Sequence, residues 1–431
     1  MLVADNRVHI TGSDVLGNTG TAIVGKDVTI DASVGTQDTT QTYKQQQAGL
    51  TLGLGGAVAD AMNSTYASAE RGNQVKDDRL KALYAAQAAY SASDALGMAG
   101  ISLGQAATKD TNPNGINLQL GIGASSASST TTHDETAYGS HIRSHGDVTI
   151  AATGGDLNLI GSQIDGHNVA LAAANNLNIL SQQENHSLQS SNKNASGGVG
   201  FYAQGSIGQG NAHGNGTTHA ISRINASDTL TLISGNDTTL QDAQLTSNTV
   251  LGAIGGNLLI QSEQDTDNYA SQQQQLGGKM VIGYGSGGSI SYHQSKVNSH
   301  YASVTDVSGI SAGSGGFDIT VGGNTHLVGG VIASRADPSK NSLTTGTLLY
   351  EDIQNQSSGK VSSSSLGSDN SVLSGSKYAI GKTVVGNLMG GGSDGETHSG
   401  TTHSAIASGT IAIADGQAQQ ALTGKTAEQA M

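Results

Sequence analysis

The chain repeats itself, and the repeat limits what it can fold into. The stretch DVTIAATGGDLNLIGSQI (147–164) returns as DTLTLISGNDTTLQDAQL (228–245) and again as GFDITVGGNTHLVGGVI (316–332). Leu157, Thr238 and Thr325 take equivalent places, as do Leu159, Leu240 and Leu327, and Ile164, Leu245 and Ile332, at offsets of 81 and 87 residues. An upstream copy aligns without a gap: Val8, Gly12, Val15, Val28 and Ile30 precede Leu157, Gly161, Ile164, Leu177 and Ile179 by 149 residues. Self-similarity on this scale points to an elongated array whose units are buried by their neighbours.

Spacing inside each copy narrows the architecture. The strand cores starting at Val148, Leu157, Val169 and Leu177 are 9, 12 and 8 residues apart, and those at Leu230, Thr238, Thr249 and Leu258 are 8, 11 and 9 apart. Two adjacent gaps come to about twenty residues, the length of one coil of a right-handed parallel β-helix, in which each coil rises by roughly 4.8 Å. Apolar residues such as Leu157/Leu159 and Leu177/Ile179 alternate with Asn, as a strand with one buried face requires. A β-sandwich also places strands every 8–12 residues. The links here lack the two-residue Asn-Gly or Asp-Gly turns of antiparallel hairpins, which favours parallel coiling.

Composition agrees with a thin solenoid. With 431 residues but only 3% aromatic and 12% charged residues, 62 glycines and two prolines, the chain is poor material for one large core. Recurrent runs of Val, Ile and Thr separate it from disordered sequences. The formal charge of −14 repels phosphate backbones and argues against nucleic acid as a partner. Cysteine is absent, which removes disulfides and Cys-based metal sites. No apolar run approaches the roughly 20 residues of a transmembrane helix, and no signal peptide opens the chain, so it is expected to be an internal piece of something longer.

Longer excursions rich in Ser, Gln, Asn and Gly separate the coil blocks, at 181–226, 262–308 and about 351–406. Each holds a Gly-rich alternating core: GGVGFYAQGSIG, GGKMVIGYGSGGSISY and GKTVVGNLMGGGSDG. In the first copy the same element is split into GLTLGLGG (49–56) and GINLQLGIGAS (115–125). The segment between, 57–112, nearly accounts for the roughly 65-residue excess of the first interval and reads as a helical hairpin: Ala57 to about Glu70, then Lys76 to about Leu96, with Asp77 and Asp78 near a helix N-terminus and Leu80, Leu83, Tyr84, Ala88 and Ala95 on one face.

The segments NSHYASVTDVSGISAGSGGFDITVGGNTHLVGGVIAS (298–334), NSLTTGTL (341–348) and VKDDRLKALYAAQAAY (75–90), with the C-terminal IASGTIAIADGQAQQALTGKTAEQAM, resemble the haemagglutinin repeats of filamentous haemagglutinins and contact-dependent growth inhibition exoproteins. The resemblance covers nearly the whole chain. It implies a right-handed β-helical filament secreted by an outer-membrane transporter of the two-partner type, with a surface receptor on a target cell as a partner and, in one branch, contact with the target outer membrane. The VENN tetrapeptide that precedes the toxin in that branch is absent. Asn112-Pro113-Asn114-Gly115 is similar to a secretion-domain motif but is explained by Pro and Gly in a turn.

Candidate sites were weighed residue by residue. Asp156 and Asp237 are equivalent, and the third equivalent is Asn324; an amide in place of an acid suits a turn side chain bonding its own backbone, not proton transfer. Gly283 to Gly288 fits GxGxxG without a following helix, Gly391-Gly-Ser393-Asp-Gly395 fits GxSxG without a nucleophile elbow, and Gly375 to Gly381-Lys382-Thr383 misses a Walker A loop by one residue. His141 and His145 stand roughly 13 Å apart on a strand, too far for one metal. The pairs His213/His219, His293/His300 and His398/His403 read as solvent-facing residues, with a pH-sensitive surface as the alternative. The alternating faces Ile116/Leu118/Leu120/Ile122, Val199/Phe201/Ala203 and Met280/Ile282/Tyr284 suit hairpins on the solenoid or strands able to enter a membrane.

The expectation is therefore an all-β chain: a right-handed parallel β-helix with Gly-rich β excursions and one α-helical insert. Residues 1–56 hold the first coils and the start of an excursion, 57–112 the insert, 113–332 coils with excursions, 333–413 a partial last repeat and 414–431 a linker. No catalytic, cofactor or metal site is expected. The expected function is structural, within a large secreted adhesin or growth-inhibition exoprotein at the surface of a Gram-negative cell. A membrane-active translocation module and a β-helical carbohydrate-active enzyme are the alternatives.

Overall fold

The computed structural model describes residues 1–55, 117–199, 202–281, 287–371 and 388–430. The expected helical insert, Asn112–Gly115 and the Gly375–Thr383 segment lie outside the described residues. Alternating short strands form a parallel β-helix whose coils each contribute three strands, stacked into three columns. In the first column Val8 pairs with Val28, then Leu157, Leu177, Thr238, Leu258, Thr325 and Leu348. The second stacks Val15, Ile142, Ile164, Ile224, Leu245, Ile310, Ile332 and Ile406. The third includes Ile23, Ile150, Leu171 and Leu232. Side chains at alternate positions point inward, so Ile23, Ile30, Ile142, Ile150, Leu177 and Ile224 are completely buried. Thr238 and Thr325 occupy leucine positions in the first column, and each hydroxyl bonds another buried hydroxyl, Ser234 at 2.8 Å and Thr345 at 2.9 Å.

The excursions are long β-hairpins: Ser33–Gly55 with Asn117–Tyr138, Gln182–Val199 with Tyr202–Ala220, Gln264–Val281 with Gly287–Val304, and Ile353–Ser371 with Leu388–Thr402. They do not lie singly on the solenoid. Neighbouring hairpins pair edge to edge into one eight-stranded antiparallel sheet, a fin rooted along one corner of the rod.

Coils with and without a hairpin alternate. Val8 reaches Val28, Leu157 reaches Leu177 and Thr238 reaches Leu258 after 20 residues with no excursion; the following coil carries one. This alternation is what lets the fin exist. Two coils advance the rod by two strand spacings and each hairpin adds two strands to the fin, so both advance by roughly 9.6 Å per repeat.

At the corner where hairpins leave, coils without one turn sharply through a left-handed residue: Gly12 (φ 51°), Gly161 (φ 55°), Asp242 (φ 51°) and Gly329 (φ 56°). Glycine suits the position for two reasons. The conformation is unfavourable for a side chain, and a Cβ on Gly12, Gly161 or Gly329 would sit 2.6, 2.5 or 2.7 Å from Ser33, Gln182 or Ile353, each at the start of the next hairpin. Serines then fasten each root. The Ser140 hydroxyl donates to the Asp31 carbonyl (2.8 Å), Ser222 to Leu180 (2.6 Å) and Ser404 to Glu351 (2.6 Å), joining the re-entry of a hairpin to the coil it left.

The segment expected as a linker from 414 folds instead as two helices, Gly416–Thr423 and Ala427–Ala430. The first is N-capped by Asp415, whose carboxylate accepts from the Ala418 N–H at 2.8 Å. It closes the first column. Gln419, fully buried, accepts from the Leu348 N–H at 2.7 Å and donates to the Leu348 carbonyl at 2.9 Å, supplying with one side-chain amide the bonds that a further strand would make.

Candidate functional site

The acids that most resembled a catalytic pair stack in one line along the rod. Asp27 Oδ1 accepts from the Asp156 N–H (3.3 Å), Asp156 Oδ1 from the Asn176 N–H (3.0 Å), Asn176 Oδ1 from the Asp237 N–H (3.3 Å), Asp237 Oδ1 from the Asn257 N–H (2.7 Å) and Asn257 Oδ1 from the Asn324 N–H (2.9 Å). Each side chain therefore bonds the backbone of the next coil, where the sequence suggested its own turn. Acid and amide both serve here because each offers an Oδ1 acceptor to the next coil, and the Asn176 and Asn257 amides also donate back to Asp156 and Asp237 Oδ1, each at 3.1 Å. Ser393 of the GxSxG match lies inside the Leu388–Thr402 strand opposite Ser362, which is not the strand-to-helix turn a nucleophile elbow needs. The GxGxxG match falls largely on residues outside those described.

Histidines concentrate where the fin meets the rod, and many have carboxylate partners instead of facing solvent alone. His9 Nε2 lies 2.8 Å from Asp31, His133 Nδ1 2.6 Å from Asp38, His186 Nδ1 3.4 Å from Asp134 and His403 Nδ1 2.8 Å from Asp352. The Asp38 hydrogen bond raises the His133 pKa above its ordinary value. At the last root, the Ser404 N–H and the His403 ring hold the Asp352 carboxyl below the usual aspartate range. Among the described residues, no three His, Asp or Glu side chains are placed to hold a metal ion.

The root between the second and third hairpins differs from the rest. His219, on the return strand of the second hairpin, places Nδ1 3.3 Å from Asp265 and Nε2 3.3 Å from Glu263, both at the start of the third hairpin. Its backbone N–H also donates to Asp265 Oδ1 at 3.1 Å. Glu263 accepts from Ser181 Oγ at 3.0 Å and from the Gln241 side-chain amide. Asp242 stands beneath them at the sharp corner. The repeat offsets carry Gly161 to Asp242 and then to Gly329, so this is the one corner of the four where a carboxylate replaces glycine. Sequence reasoning missed it, although the break in an otherwise regular Gly column was the available signal.

Among the described residues the fin is polar on both faces over most of its height, and its longest apolar row crosses several hairpins. Ala195, Ile207, Leu276, Tyr292 and Leu366 are directly opposite one another on successive strands or hairpins, with Ile290 one pleat away on the same face. Ile207, Leu276, Ile290 and Leu366 are exposed, and the first three border a shallow groove with Gly197, Gly205 and Gly278. Of the alternating faces expected from sequence, Leu118 and Leu120 fall opposite Leu54 and Leu52 in the first hairpin; the side chains of Val199, Phe201, Met280, Ile282 and Tyr284 lie outside the described residues.

Known proteins with the same sequence pattern were compared with these features. A haemagglutinin repeat family model matches residues 120–278, the stretch containing the first two complete hairpin-to-hairpin contacts. The chain is 35% identical over 394 residues to a tRNA nuclease CdiA of Escherichia coli (strain NC101), 36% over 394 residues to a tRNA nuclease CdiA of Yersinia mollaretii, and 34% over 381 residues to a 16S rRNA endonuclease CdiA of Enterobacter cloacae. These alignments cover 85, 85 and 82% of this chain but only 12, 13 and 11% of the relatives, so the chain spans about an eighth of their length. No solved structure matches. The repeat-family match and these relatives identify the chain as a haemagglutinin-repeat segment of the kind found in CdiA proteins.

Proposed function

We propose that this segment is a non-enzymatic spacer of its parent exoprotein, a rigid rod with an attached fin that carries a receptor-binding or toxin region of the same chain towards another cell. The observation that carries this reading is that relatives with different named activities resemble it almost equally: a tRNA nuclease at 35%, a 16S rRNA endonuclease at 34% and a deoxyribonuclease of Dickeya dadantii at 33% identity. A region shared at one level across different chemistries is not where those chemistries differ. The Asp/Asn column supports the same reading, because each Oδ1 accepts a backbone N–H of the next coil and an amide stands in for an acid along it, which suits coil-to-coil bonding and not proton transfer.

By the same family relation, the parent is exported through an outer-membrane transporter of the two-partner type and displayed on the surface of a Gram-negative cell, where it meets a receptor on the target. The decisive experiment exchanges this segment between a tRNA-cleaving and a DNA-cleaving relative. The nucleic acid degraded in target cells should follow the remainder of each chain. A change in the molecule cleaved that travels with the exchanged segment would overturn the spacer reading.

A further inference from the structure

We propose that Asp242, His219, Glu263 and Asp265 form a proton-operated latch that locks the second and third hairpins of the fin to the rod and releases that root when its protons are lost. Three geometric facts carry the proposal. Asp242 is a non-glycine residue in the left-handed conformation, φ 51°, at a corner that uses glycine in all three equivalent coils. It is only 4% exposed, and its Oδ1 has no hydrogen-bond partner; the Glu263 backbone N–H donates to its carboxyl group. His219 bridges the carboxylates of Glu263 and Asp265, and its own side chain is 10% exposed.

A buried acid with an orphaned oxygen in a left-handed corner breaks local rules of backbone and hydrogen bonding together, and such breaks gather at switching sites. Burial pushes Asp242 up to about 7, with His219 opposing and Glu263 and Asp265 reinforcing the shift. The Asp265 hydrogen bond raises His219 against the lowering effect of its burial. Both groups thus have folded-state pKa values above their unfolded ones. The stability each contributes is full in acid and is lost as pH rises through the folded value. For Asp242 that loss accumulates between about 4 and 7; for His219 it comes above its ordinary 6.5. The two losses add.

With protons bound, the root holds a neutral Asp242 and an imidazolium between two carboxylates. Without them, three carboxylates crowd a partly buried corner around a neutral ring, and repulsion separates the two hairpins there. Arg223, on the strand that follows the second hairpin, and Asp306, in the bend after the third, pair with each other at 3.9 Å and do not supply the missing cation. The other roots lack this arrangement because glycine occupies the equivalent corner.

Amide hydrogen exchange of the whole chain, corrected for intrinsic rates, tests the latch at pH 4.5 and pH 8.5. Protection in peptides covering 217–222 and 260–268 should fall at least tenfold on going to pH 8.5, while the first root at 33–35, paired to 136–138, changes little. Asp242→Gly, which restores the residue used at the other corners, and Asp242→Asn, which keeps the shape without the charge, should both shrink the fall to the part His219 contributes. His219→Gln should leave the root weakly protected at both pH values. The proposal is overturned if the wild-type root shows no selective fall, if the fall is undiminished in both Asp242 variants, or if His219→Gln remains as protected as wild type at pH 4.5.

Discussion

Rod and fin carry the same chain through the same number of repeats, one as a parallel solenoid and the other as an antiparallel sheet, and they are held by different forces. Every residue of the continuous hydrophobic cluster among the described residues belongs to the coils, from Val8 to Leu343, while the third hairpin buries Ala302 near its root. The fin instead relies on backbone ladders and on side-chain bonds such as Thr130 to Ser190 (2.9 Å) and Ser196 to Ser206 (2.8 Å). Burial gives the rod a stability of its own, roughly 25 cal/mol per Å² of apolar surface removed from water. A sheet with two wet faces has little of that term, so the fin depends on the rod to bring its strands into reach.

The contrast is broken most directly inside the rod. Phe317→Ala removes a side chain that is 1% exposed and should destabilise the protein by about 3–5 kcal/mol, with rod and fin lost in one transition when urea unfolding is followed by circular dichroism and by protease sensitivity of the hairpins. A fin that survived loss of the rod would refute its dependence. Next comes the hinge between the two regions. Gly161→Ala forces a left-handed alanine and a contact with Gln182, so a loss of about 2 kcal/mol is expected, with hydrogen exchange rising first in the second hairpin; uniform exchange would place the corner's role in the rod alone.

Acid sharpens the comparison between roots. Because the Asp352 carboxyl is held below its ordinary range by the Ser404 N–H and His403, its contribution is present above about pH 4 and is lost as pH falls through the lowered folded value. Exchange at Ser404 should therefore increase in acid, the opposite of the sign expected at Asp242, and Asp352→Asn should remove the effect. The smallest change is expected in the fin. Ile207→Ser, at a residue 65% exposed, should shift stability by no more than about 0.5 kcal/mol in the same unfolding assay; a larger loss would mean that the apolar row is covered in solution.

The rod was legible because its strands bury one face. The 20-residue coil and the offsets of 81 and 87 residues reappear as columns in which Leu157, Thr238 and Thr325 stack with one coil between each. The fin was legible only as excursions. Its strands alternate Ser, Gln, Asn and Thr with similar residues, so no hydrophobic period marks a face, and pairing between hairpins is imposed by the pitch of the rod instead of by local sequence. The serine clamps were hidden for a related reason: Ser140, Ser222 and Ser404 each stand just before a second-column strand, but unequal hairpin lengths prevent them from recurring at a fixed interval. The Gly12 and Gly161 alignment did foreshadow the sharp corner. Extending that column by the established offsets would have exposed Asp242 as its exception.

The equality of pitch between two coils and one hairpin also makes the repeat a unit of inheritance. Losing a whole repeat from such a gene shortens rod and fin together and leaves every remaining strand opposite a proper neighbour. Losing a single hairpin-free coil would ask two hairpins to share the space of one, with roots about 4.8 Å apart where each hairpin needs twice that. Length can therefore vary among descendants only in steps, and a lineage in which the fin is kept should differ from its relatives by coil pairs, never by an odd coil.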